Sequence, residues 1–125
     1  MDTKAKKSLG QNFLRDQSVI EHILRVADVQ KSDRIFEIGP GTGALTQALS
    51  LTGATVLAIE IDPQLVDRLN KIFVESRNTS ILEGSILDMN LGELLSHAGF
   101  EYQQYKVVAN IPYYLTSALL RLISE

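Results

Sequence analysis

Apolar positions along this 125-residue chain follow two alternating spacings. Between Ser18 and Val29, the residues Val19, Ile20, Ile23, Leu24 and Ala27 keep helical spacing, and Asp16 or Ser18 can cap the start. Arg34 to Ile38 is a short apolar run that ends in glycines, and helical spacing resumes from Thr42 to Leu51 through Leu45, Ala48 and Leu49. The order then repeats. Thr55 to Ile59 reads as a strand and Pro63 to Glu75 as a helix whose proline suits a first turn. A third strand near Thr79 to Leu82, a helix from Leu91 to Ala98, a strand from Tyr105 to Ala109 and a helix from Leu115 to Ile123 complete the series. Strands alternating with helices predict a parallel sheet, because parallel neighbours need a crossover connection. The expected fold class is α/β, doubly wound, in one domain over residues 1–125.

Composition narrows the chemistry. With 45% hydrophobic residues the chain can fill one core, and the absence of cysteine excludes disulfides and thiolate metal sites. The two histidines, His22 and His97, are far apart and have no ligand spacing, so no metal is expected and surface or capping roles are. No segment approaches the length of a membrane span or a signal peptide, which predicts a soluble, cytoplasmic protein. A net charge of -3 gives no global attraction to nucleic acid, so RNA binding would rest on a local cluster such as Lys4, Lys6, Lys7 and Arg15. Phe100, Tyr102 and Tyr105 are expected to pack rather than to bind.

Two loops carry chemistry. In Gly39-Pro-Gly-Thr-Gly43 the missing side chains allow a sharp turn at the carboxyl edge of the first strand and close approach of a ligand. Glu60, at the end of the second strand, can accept hydrogen bonds from the 2′ and 3′ hydroxyls of a ribose and would repel a 2′-phosphate. These features also fit an NAD-binding domain, since Gly39, Gly41 and Ala44 satisfy the loose dinucleotide fingerprint. Glu37 shifts the balance: a carboxylate before the glycines disfavours a pyrophosphate and suits the ammonium of a methionine moiety, which favours S-adenosyl-L-methionine. Ser85, after the third strand, can read the adenine edge or be an ordinary turn serine.

The second loop is Asn110-Ile-Pro-Tyr-Tyr114. An exocyclic base nitrogen is a poor nucleophile, and acceptors at its hydrogens help it pyramidalise. The Asn110 side-chain oxygen and the Ile111 carbonyl are such acceptors. Pro112 stiffens the turn that aims them, and Tyr113 can stack on a flipped base. The sulfonium is already activated, so positioning suffices and no protein nucleophile or metal is needed. Both loops together point to methyl transfer onto a base nitrogen. An NAD-dependent oxidoreductase and a non-catalytic RNA-binding or assembly module remain as alternatives.

With both loops quoted, the chain resembles the rRNA adenine N6-dimethyltransferases, and their small-subunit branch in particular. Lys7 to Leu14 is similar to the family's N-terminal motif, which implies cofactor contacts for Asn12 and Leu14 and a lid shaped by Gln11 and Phe13. Glu37 to Thr46 is similar to its Glu-Ile-Gly-Pro-Gly-Thr-Gly-x-Leu-Thr motif, Glu60 to its ribose-binding acid, and Asn110 to Tyr113 to its catalytic Asn-x-Pro-Tyr. The chain departs from the family at Ser85, where an aspartate usually contacts the cofactor's adenine. The resemblance implies a Rossmann-like fold and S-adenosyl-L-methionine as cofactor, bound by Asn12, Leu14, Glu37, Gly39, Gly41, Gly43, Glu60, Ser85 and Asn110. It further implies catalytic roles for Asn110, Pro112 and Tyr113, and dimethylation of two adjacent adenosines near the 3′ end of small-subunit rRNA in an assembling ribosomal particle. Large-subunit methylation of the antibiotic-resistance type is the family alternative. Since family members are longer, the methyltransferase domain is expected to be incomplete at the C-terminus and to lack its helical RNA-binding domain.

Overall fold

The computed structural model describes residues 17–100 and 105–109. Its elements run α1 (Gln17–Val26), β1 (Arg34–Ile38), α2 (Ala44–Leu51), β2 (Thr55–Glu60), α3 (Pro63–Ile72), β3 (Thr79–Glu83), a single 3₁₀ turn (Ile86–Asp88), α4 (Leu91–His97) and β4 (Lys106–Ala109). All pairings are parallel and the strand order is β3-β2-β1-β4. The four expected strands therefore form, and the sheet explains their near-continuous apolar runs: in β1 and β2 every residue after the first is buried. The expected final helix, Leu115 to Ile123, lies outside the described residues.

Chain direction across the sheet decides which face each helix covers. The β1–α2–β2 and β2–α3–β3 crossovers step one way, and the route from β3 through α4 to β4 steps back past them. Right-handed connections then put α2 and α3 on one face and α4 on the other. The core separates accordingly. Ile35, Val56 and Val108 pack with Leu45 and Leu49 of α2 and Ile20 of α1, whereas Phe36, Ile38, Leu57 and Ile59 pack with Ile86 and with Leu91 and Leu95 of α4. Phe100 and Tyr105 join the second cluster with ring centroids 5.9 Å apart, so these two aromatics are packing residues.

Local rules set the boundaries. The first helix stops three residues before the expected Val29 because Asp28 turns left-handed (φ 49°), which lets the Val29 amide reach back to the Leu24 carbonyl. Helix α3 begins on Asp62, whose side chain accepts from the Gln64 amide, followed by Pro63. Helix α4 begins likewise on Asn90, whose side chain accepts from the Glu93 amide. At the opposite end of the sheet Lys106 of β4 bridges to Asp33 at 2.8 Å and to the Asp28 carbonyl, tying β4 to the entrance of β1. This cation and the Gln30 amide hold the Asp33 carboxyl below its usual range. His22 is exposed on α1, and His97 is exposed beside Glu93 on the same helix face. Among the described residues no helix is long and apolar enough to cross a membrane, and no group of three or more His, Cys, Asp or Glu is placed to hold a metal.

Candidate cofactor site

The reversal of direction between β1 and β4 leaves a crevice at the carboxyl ends of those strands, the usual ligand position in open α/β sheets. Ile38 is the register partner of Ala109, so the glycine turn begins at the level where β4 ends. Residues 110–114, like Asn12 and Leu14, lie outside the described residues. Glu37, Gly39, Gly41, Gly43, Glu60 and Ser85 all fall at this end of the sheet.

Three glycines shape the turn with positive φ values: Gly39 at 71°, Gly41 at 59° and Gly43 at 89°. Their tasks differ. A Cβ on Gly43 would sit 2.7 Å from Leu69 Cδ2, so this glycine lets α2 start against α3. A Cβ on Gly41 would meet nothing within 4 Å, so the space beside that backbone is open to a ligand. The turn is anchored by the Gly39 amide on the Ile59 carbonyl and by the Gly43 amide on the Pro40 carbonyl.

Glu60 ends β2 and is buried, at 6% exposure. Its Oε1 accepts from the Gly41 amide at 3.1 Å and its Oε2 from the Asp62 amide at 3.0 Å. The expected ribose ligand is therefore also the strut between the glycine turn and the start of α3. Each carboxylate oxygen keeps a further lone pair for a hydroxyl.

Glu37 is more deeply enclosed, at 1% exposure. Thr46, in the first turn of α2, donates its hydroxyl to Glu37 Oε1 at 2.5 Å, while Oε2 has no partner among the described residues. Loss of hydration pushes the Glu37 carboxyl up to about 7; the Thr46 bond opposes this and the nearby Glu60 charge adds to it. A buried, unpartnered acceptor beneath the turn suits a cation or donor delivered from the crevice.

Beyond Glu60 a cavity of about 80 Å³ opens between the ends of β1, β2 and β3. Ile38, Ile59 and Ile86 form its apolar floor, Ile61 and Leu87 stand exposed at its lip, and Ser85 faces it. Thr46, Ile61 and Leu87 were not expected here from sequence. Ile61 and Leu87 did carry a signal, since large apolar residues stand where a turn would ordinarily be polar.

Together these features fit a ligand with a ribose, a flat apolar ring and a cationic end. Residues 2–124 match the ribosomal RNA adenine dimethylase family. The chain belongs to that family. It is 41% identical over 117 residues to ribosomal RNA small subunit methyltransferase A of Geobacter metallireducens, covering 94% of this chain and 42% of that protein. It is 42% identical over 122 residues to the protein of the same name in Dehalococcoides mccartyi, covering 98% of this chain and 40% of that one. The chain thus spans about two fifths of the length of these curated relatives. Among solved structures it resembles the 23S rRNA methyltransferase ErmE (TM-score 0.71, 28% identity, 88% of this chain and 41% of that one). It also resembles a dimethyladenosine transferase from Plasmodium falciparum (TM-score 0.68, 26% identity, 88% and 38%). The doubly wound sheet is therefore the Rossmann-like fold of this methyltransferase family, and family membership removes the oxidoreductase alternative.

Proposed function

We propose that residues 1–125 form the S-adenosyl-L-methionine-binding part of an enzyme that dimethylates N6 of adenosines in small-subunit rRNA. The observation that carries this reading is the convergence, at one strand-order reversal, of an open glycine turn, a ribose-compatible carboxylate and the end of β4 at Ala109, the residue before Asn110 in the sequence. The bound cofactor would supply an activated methyl group on a sulfonium. Gly41 would admit its backbone-facing atoms, Glu60 would accept from the ribose hydroxyls, and Ile61 and Leu87 would enclose the adenine beside Ser85. Glu37, with Gly39 and Gly43 shaping the turn above it, would present negative charge to the methionine ammonium. Asn12 and Leu14 would complete the cofactor's enclosure.

On the substrate side, Asn110 and the Ile111 carbonyl accept from the target amino group, Pro112 fixes their aim, and Tyr113 stacks on the base. The amine proton leaves to water, so no side chain need act as general base. The identities of 41% and 42% to proteins named ribosomal RNA small subunit methyltransferase A support small-subunit rRNA as the substrate; an assembling particle and a cytoplasmic location are part of the same proposal.

Calorimetric titration with S-adenosyl-L-methionine, followed by tritiated-methyl transfer to undermethylated small subunits, tests this reading. Binding should be lost in Glu60→Ala, while Asn110→Ala should bind the cofactor and transfer nothing. A chain with a cooperative melt but no affinity for the cofactor would refute the assignment.

A further inference from the structure

Thr46 directs its hydroxyl away from its own helix. It is one of the three buried residues of α2, with Leu45 and Leu49, and the one polar residue among them. A helical threonine ordinarily bonds a carbonyl of the preceding turn or faces water. This one crosses to β1 and donates to Glu37 Oε1 at 2.5 Å. A valine would fill the same space, so what the hydroxyl adds is its effect on Glu37. That effect is twofold. The bond fixes one carboxylate oxygen and leaves Oε2 as the one without a partner among the described residues. It also favours the ionised form, since a hydroxyl bonds a carboxylate more strongly than a neutral carboxyl.

Every other influence on Glu37 works the opposite way or is absent. Burial and the Glu60 charge both push its pKa up, to about 7 against the Thr46 bond. Its register partners, Ala58 of β2 and Val108 of β4, are apolar, and α2 carries no ionisable side chain. Glu21, His22 and Arg25 of α1 are exposed to solvent. Among the described residues Thr46 is therefore the group that sustains the Glu37 charge. We infer that Thr46 is the positioning residue for the amino-acid end of the cofactor: it holds the Glu37 carboxylate ionised and fixed, one oxygen free for the ammonium, so that uptake requires Glu37 to have lost its proton. The inference rests on the cofactor reading above and deepens it. Its sign follows from linkage. Below about pH 7 the ligand must displace the Glu37 proton, so affinity rises with pH toward 7 and then levels, while the ligand's amine is still charged over that range.

The test is calorimetric titration at pH 6, 7 and 8 with S-adenosyl-L-homocysteine, which keeps the ammonium, and with 5′-methylthioadenosine, which lacks the amino-acid end. For the unaltered chain S-adenosyl-L-homocysteine should bind ~5-fold more weakly at pH 6 than at pH 7, and methylthioadenosine equally at both. In Thr46→Val the first ligand should weaken ~5-fold or more at pH 7, with the deficit shrinking toward pH 8, because loss of the bond moves the Glu37 titration up by ~1 pH unit or more. Methylthioadenosine should be unaffected, and Thr46→Ser, which restores a hydroxyl, should recover the native profile. Thr46→Ala removes the same donor and carries the same expectation should the valine variant fail to fold. A flat profile for S-adenosyl-L-homocysteine on the unaltered chain would overturn the inference while leaving the cofactor reading intact. Equal weakening of both ligands in Thr46→Val, at every pH, would give Thr46 a merely structural role and overturn it too. Failure of S-adenosyl-L-homocysteine to bind a folded, unaltered chain at any pH would overturn the cofactor reading and this inference with it.

Discussion

Replacing Glu37 with glutamine should make the protein more stable at alkaline pH. The native carboxyl is enclosed, receives one hydrogen bond from Thr46, and has its pKa pushed from an ordinary 4.5 up to about 7. Between those two values the folded chain holds a proton that the unfolded chain has released. Folding is therefore favoured most below pH 4.5, and that contribution is lost as pH rises through about 7. The full difference is worth about 3 kcal/mol, of which about 2 kcal/mol falls between pH 5.5 and 8. The glutamine of the Glu37→Gln variant can still accept from Thr46, and its amide nitrogen replaces an oxygen that has no partner among the described residues. The substitution thus resembles the protonated state in shape and charge. Urea unfolding of both proteins at pH 5.5 and pH 8 checks this, because every other titrating group cancels in the comparison. The stability difference between Glu37→Gln and the native chain should shift toward the variant by about 2 kcal/mol across that interval. Parallel pH profiles would show that Glu37 titrates normally, and the reasoning from its burial would fail.

Two further outcomes follow from the turn. Removing the Glu60 strut in Glu60→Ala should speed hydrogen exchange at the Gly41 and Asp62 amides ~10-fold or more in the ligand-free protein, with strand amides such as Leu57 unaffected. Unchanged exchange measured by NMR would mean that the turn holds itself without Glu60. In Gly43→Ala the new methyl meets Leu69 at a left-handed backbone position, so the chain should lose about 1–3 kcal/mol in thermal or urea unfolding. A loss below about 0.5 kcal/mol would show that α3 yields freely.

Much of this architecture was legible because apolar spacing and turn chemistry agreed. Arg34 to Ile38 and Thr55 to Ile59 are short, mostly apolar runs of strand length, and glycine or Asp-Pro marks the turn that follows each, which is why both were legible as strands. The same signals located Glu37, Gly39, Gly41, Gly43, Glu60 and Ser85 at one edge of the sheet. What sequence did not show depends on contacts across the fold. The Glu60 bonds to Gly41 and Asp62, and the Thr46 hydroxyl on Glu37, follow from strand register and helix placement, which no local pattern encodes. The 3₁₀ turn at Ile86–Asp88 has no period of its own to detect. Helix ends were missed by a few residues where one backbone angle decides them, as at Asp28.

The β1–β4 pairing also sets a length standard for the chemistry. Strand β4 has four residues, and its neighbours Val107 and Val108 belong to opposite cores. Sliding it by one position would exchange those faces and carry everything after Ala109 about 3.3 Å along the sheet. A methyl transfer tolerates far less error than that between donor and acceptor. On the reading proposed above, the offset between the glycine turn and the segment that follows Ala109 is therefore set by the fit of the buried Val108.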